Sequence, residues 1–203
     1  MVKEVVIYIE GDTKQKGKGN AITLRQGFRS FFQAAETNVP IEIKLLGSRE
    51  MAIKIFLSEV EYNSDNFAVL LVDSEGEIGE NETPKSFLQK ISDKFDFKNI
   101  KEDQCHLMVR LMESWFLADK ERLAGFYGRN FNSNALPKNK NVEKIPKDDV
   151  LTGLKNATRN TSKGEYGKGA HSGEILQKIN PDPVRKSSEH CERMFAAIKK
   201  ATE

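Results

Sequence analysis

The chain has 203 residues, 38% of them hydrophobic and 31% charged, with a formal net charge of +2. That length suits one domain, or a domain with a small extension, and can bury a sizeable core. No apolar run approaches the roughly 18 residues that cross a bilayer, and the amino terminus lacks a signal-peptide apolar region and cleavage site. The expected location is therefore the cytoplasm, with no membrane contact. Cys105 and Cys191 form neither a CxxC pair nor a disulfide framework and read as buried thiols.

The charge is unevenly spread. Residues 120–203 carry 17 Lys/Arg against 10 Asp/Glu, and residues 1–119 carry 15 against 20. An acidic front half and a basic back half fit an acidic metal site beside a phosphate-contacting surface, and equally a solvated basic face.

Val5-Val6-Ile7-Tyr8-Ile9 reads as a first strand and ends on Glu10-Gly11. The next ten residues hold three lysines, Lys14, Lys16 and Lys18, among glycines. Such a loop can contact phosphate or simply be mobile, but it lacks P-loop spacing. A helix follows through Ile22, Leu24, Phe28, Phe31 and Phe32, whose spacing makes one apolar face. Residues 41–46 read as a second strand, and Ser48 caps a second helix bearing Met51, Ile55, Phe56 and Val60.

Ala68-Val69-Leu70-Leu71-Val72 is an uncharged apolar run, the mark of a strand buried on both faces, and it leads into Asp73-Ser74-Glu75-Gly76. The order β-α-β-α-β argues for parallel strands with right-handed crossovers. If the first and third strands are neighbours, about 4.8 Å apart, Glu10 and Asp73 enter one crevice at the carboxyl end of the sheet. Glu75, two residues on, shares the face of Asp73. Converging carboxylates repel unless a divalent cation or a basic group holds them.

Thr83-Pro84 opens a further helix, residues 104–109 a fourth strand, and the chain from Arg110 reads as a helix reaching about Leu123. Glu113 in that apolar stretch either joins the crevice as a further ligand or serves as a structural cap and ion pair. Residues 125–146 interleave lysines with Phe126, Tyr127 and Phe131, which suits base stacking or a surface excursion packed by its own aromatics. Helices are expected at 148–158, at 173–179, stopping before Asn180-Pro181, and at 187–201. The glycines around Lys168 and His171 suggest either a tight approach to an anionic substrate or a turn without a chemical role.

Glu10-Gly11 after the first strand and Asp73-Ser74-Glu75-Gly76 after the third resemble the TOPRIM arrangement of topoisomerases, primases and nucleases of the overcoming-lysogenization-defect type. Glu113-Ser114-Trp115-Phe116-Leu117-Ala118-Asp119 resembles a Glu-x-Trp-x-Leu-Ala-Asp signature of small bacterial TOPRIM-like proteins. The resemblance covers most of residues 1–125 and, more weakly, Tyr166-x-Lys168 and the terminal helix. It implies an α/β, TOPRIM/Rossmann-like three-layer fold with a mainly parallel sheet over residues 1–119, and a basic, mainly helical extension over 120–203. It further implies a Mg²⁺- or Mn²⁺-dependent nuclease acting on DNA or RNA. Glu10 would be general base or metal ligand, Asp73 and Glu75 metal-binding acids, Glu113 auxiliary, and Lys14, Lys16, Lys18 and Lys168 phosphate contacts. Asp-x-Glu replaces the commoner Asp-x-Asp, which lengthens one arm by a methylene. Members of such families are often linked to ATPases of the ABC or structural-maintenance type and to anti-phage defence; a homodimer is open. The competing readings are a non-catalytic TOPRIM-shaped adaptor and a nucleotide or phospho-ligand binder.

Overall fold

The computed structural model describes residues 2–11, 18–62 and 65–203. Four strands, β1 (Glu4–Glu10), β2 (Ile41–Leu46), β3 (Asn66–Asp73) and β4 (Cys105–Met108), form one all-parallel sheet in the order β2-β1-β3-β4. The register sets Ile9 beside Leu71 and Asp73 beside Met108. The central strands are covered on both sides, which is why they read as continuous apolar runs: Val5 to Ile9 are fully buried.

Alternate residues feed two cores. Val5, Ile7, Ile9, Val69 and Leu71 face one side with Leu24, Phe28 and Phe31 of α1 (Lys18–Phe32). Val6, Tyr8, Leu70 and Val72 face the other, with Ile53 and Phe56 of α2 (Arg49–Tyr62) and Phe87 and Leu88 of α3 (Pro84–Ile91). The chain leaves β1 in one direction through α1 and returns over the opposite face through α2, so the order reverses between β1 and β3. That reversal opens a crevice at the carboxyl ends of the two strands. The fold is thus α/β, three-layered and Rossmann-like. Ile22, expected on the apolar face of α1, is half exposed.

The remaining helices are α4 (Lys120–Tyr127), α5 (Lys147–Thr158), α6 (Lys168–Leu176), α7 (Pro181–Ser187) and α8 (Glu189–Thr202). Their apolar residues, among them Leu123, Leu154, Ile175 and Met194, join the α1-side core, so residues 120–203 complete that layer of the sheet.

Between β4 and α4 the chain is not one helix. Met112–Ala118 is a 3₁₀ segment, and Asp119 starts α4 by accepting from Arg122 N–H at 3.1 Å. The same carboxylate accepts from Asn180 N–H at 2.9 Å. Residues 112–117 are all buried, and Trp115 stacks on Phe31 at 4.9 Å. The segment is buried all round rather than along one face, and its 3₁₀ winding is tighter than that of an α-helix.

Two other expectations change. Pro181 does not merely stop the preceding helix; Asn180 caps α7, accepting from Asp182 N–H at 3.1 Å, with proline in the first turn where its missing N–H costs nothing. Helix α6 begins at Lys168 rather than 173, so the glycine-rich stretch is partly helical. The close approach there belongs to Gly173, where an added Cβ would lie 2.6 Å from the Thr23 carbonyl carbon and 2.7 Å from Leu24 N. Both contacts are backbone and cannot yield. Gly173→Ala is expected to cost at least about 1–3 kcal/mol; an unchanged thermal midpoint would disprove this tight crossing of α1 and α6.

Among the described residues no helix is long and apolar enough to cross a membrane. Cys105 and Cys191 are free and buried, and burial raises the Cys105 thiol pKa to about 12.

Candidate active site

The reversal between β1 and β3 places Glu10 and Asp73 at the end of adjacent strands. They line a cleft of about 240 Å³ together with Glu75, Lys168, Met112 and Ser172. Four residues expected from sequence are therefore gathered: Glu10, Asp73, Glu75 and Lys168. Glu113 lies beneath them with no exposed side-chain surface. Lys14 and Lys16 lie outside the described residues, and Lys18 is described only as the first residue of α1.

Asp73 is fixed on three sides. Its Oδ1 accepts from Met112 N–H at 2.9 Å, its Oδ2 faces Lys168 Nζ at 3.6 Å, and its carbonyl oxygen accepts from Arg49 Nη2 at 2.8 Å. Arg49 also donates from Nε to Glu10 Oε2 at 3.3 Å, so one guanidinium braces the ends of β1 and β3. Burial pushes the Asp73 carboxyl up to about 7; Lys168 opposes the rise, and Glu113 and Glu10 add to it.

Beyond Asp73 the chain turns sharply. Ser74 Oγ donates to Gly76 O at 2.6 Å and accepts from Arg110 N–H at 2.7 Å. Glu75 follows with φ 62°, a left-handed conformation unusual for a residue with a side chain, and its N–H donates to Arg110 O at 2.9 Å. Arg110 is itself left-handed, at φ 64°. Two adjoining non-glycine residues in this region cost of order 1–2 kcal/mol each, and such strain concentrates at functional sites. The turn aims Glu75 along the cleft mouth, where it pairs with Lys147 at the start of α5.

Glu113 is the most unusual member. Oε1 accepts from Tyr166 Oη at 2.8 Å, whereas Oε2 is buried without a hydrogen-bond partner among the described residues, 3.6 Å from Lys168 Nζ. Burial and the neighbouring carboxylate hold the Tyr166 hydroxyl well above its ordinary pKa, so it remains a donor. Burial works against the Lys168 ammonium, but Glu113, Asp73 and Glu75 outweigh it and hold its pKa above the ordinary value. Lys168 thus sits as a shared cation between two buried acids.

The expected metal-binding trio is not assembled as a ligand set. Among the described residues no group of three or more His, Cys, Asp or Glu side chains is placed to hold a metal ion. Glu10 is drawn to Arg49 and Glu75 to Lys147, which spreads the acids apart. The donor chemistry nevertheless fits a hard divalent cation: all donors are carboxylate oxygens, and Glu113 Oε2 is a buried acceptor with no hydrogen-bond partner among the described residues.

Phe126 and Tyr127 are buried, and Tyr127 stacks on Phe131 at 5.9 Å, so these aromatics pack the excursion they belong to. Sequence reading missed Arg49, Lys147 and Tyr166 as site residues. Arg49 had a signal, since it follows the end of the strand beside β1; Lys147, far along the chain, had none.

Residues 9–199 match the family model described as a domain of unknown function, DUF4276. The chain belongs to that family. The matched region takes in Glu10, Asp73, Glu75, Glu113 and Lys168, three of the four strands and almost all of the C-terminal helices. No curated protein and no solved structure matches the chain.

Proposed function

We propose that the protein is a metal-dependent phosphodiester hydrolase of nucleic acid, a TOPRIM-like nuclease. The observation that carries the reading is the triad Asp73–Lys168–Glu113 at the topological switch point, with one buried carboxylate oxygen that has no hydrogen-bond partner among the described residues. Asp73 and Glu113, joined by Glu75 once it leaves Lys147, would hold Mg²⁺ or Mn²⁺. A bound divalent cation supplies charge against the developing negative phosphoryl oxygens.

The chain's own groups supply the rest. Lys168 Nζ donates to a phosphate oxygen, with the charge its acidic neighbours keep on it. Glu10, with a side chain one quarter exposed, takes the proton of the attacking water. Met108, Met112 and Leu24 form an apolar wall that limits bulk water and strengthens these interactions. An effector role in defence, under a partner ATPase, belongs to the same proposal and rests on the sequence resemblance.

Thermal unfolding with Mn²⁺ tests the reading. At about a hundred times the dissociation constant the native state gains about 2.7 kcal/mol, roughly 5–10 °C for a chain of this size. The gain is expected in wild type, accompanied by cleavage of an oligonucleotide, and absent in Asp73→Asn. No shift in wild type at millimolar Mn²⁺ would defeat it.

One observation favours a second reading, a metal-free binder of phospho-ligands: Arg49, Lys147 and Lys168 already pair every acid of the cleft. Stabilisation by inorganic phosphate without metal, and none by Mn²⁺, would select it.

A further inference from the structure

Lys147 and Glu75 differ from the other pairs of the cleft. Arg49 is committed twice, to Glu10 and to the Asp73 carbonyl, and Lys168 stands between two buried acids. Among the described residues Lys147 has Glu75 as its one ion-pair partner, and the two side chains are 40% and 45% exposed. The backbone on the acidic side is anchored, because Glu75 N–H donates to Arg110 O and the Ser74 hydroxyl bonds both Gly76 and Arg110. Only the side chains are free to part. A lysine suits such a role, being a compact point charge on a flexible stem whose three donors need no fixed fork geometry.

Glu75 lines the same cleft as Asp73 and Lys168, so its partner stands at the mouth of the catalytic crevice. We propose that Lys147 is a phosphate-binding residue held in reserve by Glu75, and that a divalent cation and a nucleic-acid phosphate bind with positive coupling through exchange at this ion pair. The inference rests on the metal-site reading above. A cation that takes the Glu75 carboxylate leaves the Lys147 ammonium unpaired beside the cleft, ready for a phosphate oxygen. A phosphate that takes Lys147 leaves Glu75 unpaired and ready for the cation. Opening the pair is a cost incurred once and shared by both ligands, and linkage requires the same factor in each direction. For a half-exposed pair that factor is roughly two- to fivefold.

The test measures Mn²⁺ binding by calorimetry and binding of a short single-stranded oligodeoxynucleotide with uncleavable linkages by fluorescence anisotropy, on wild type, Lys147→Met and Glu75→Gln. Lys147→Met is expected to bind Mn²⁺ alone roughly two- to fivefold more tightly, bind the oligonucleotide more weakly, and lose that share of the coupling. Glu75→Gln is expected to do the reverse, with tighter metal-free oligonucleotide binding and weaker Mn²⁺ binding. These opposite signs separate exchange from a structural role, which would move both affinities one way. Wild-type Mn²⁺ binding that neither substitution changes overturns the exchange while leaving the metal site standing. A wild type that binds no Mn²⁺ overturns the metal reading and the exchange with it.

Discussion

Asp73→Asn is expected to stabilise the protein by roughly 2–4 kcal/mol at about pH 8, a rise of about 5–10 °C in thermal midpoint, while abolishing the proposed metal-dependent cleavage. The cause is the Asp73 carboxyl, which burial raises from 3.8 to about 7. Between those values the folded state holds a proton that the unfolded state has released. The contribution of Asp73 to stability is therefore complete below about pH 4, is lost as pH rises toward 7, and stays lost above it. Asparagine is neutral throughout and keeps an oxygen for the Met112 N–H, so it escapes this loss. Its advantage over wild type should shrink as pH falls and disappear below about 4. Unfolding of both proteins across pH 4–8 decides the matter: a constant difference, or a less stable variant at pH 8, would show that Asp73 is not strained by ionisation. Stability given up for a charged group at the site is the expected mark of a functional carboxylate.

Glu113→Ala is expected to destabilise by about 3 kcal/mol or more, roughly 10 °C. The substitution removes the acceptor of the Tyr166 hydroxyl, leaves Lys168 with Asp73 alone among the buried acids, and opens a cavity under the cleft. An unpaired buried hydroxyl alone costs about 1–3 kcal/mol. Glu113→Gln keeps the volume and the bond from Tyr166, so most of the stability should return while Mn²⁺-dependent stabilisation does not. Denaturant unfolding of the two variants, with and without Mn²⁺, separates the roles. A Glu113→Ala protein within about 1 kcal/mol of wild type would show that the buried carboxylate holds nothing together.

Much of the sheet was legible because its information is local. An apolar run such as Ala68 to Val72 ending in Asp73 declares a doubly covered strand and where it stops, and the alternation with helical periods implies parallel strands. The helix start at Thr83-Pro84 was equally local: Thr83 accepts from Ser86 N–H at 3.2 Å. Errors came where context outweighs propensity. Met112–Ala118 has the composition of a helix but winds as a 3₁₀ segment with residues 112–117 buried, and Pro181 reads as a stop although Asn180 turns it into a start.

The sequence by itself determined the α/β class, the strand ends and the identity of the acids that line the cleft, because strand length and side-chain alternation are properties of neighbouring residues. Only the tertiary structure decided which cation each acid meets. Arg49 reaches Glu10 across 39 positions and Lys147 reaches Glu75 across 72. Lys168 enters between Asp73 and Glu113 because α6 packs against α1 through Gly173 and Gly27. Ion pairs form between groups that the packing of whole helices brings within a few ångströms, and no local pattern in the chain encodes that distance.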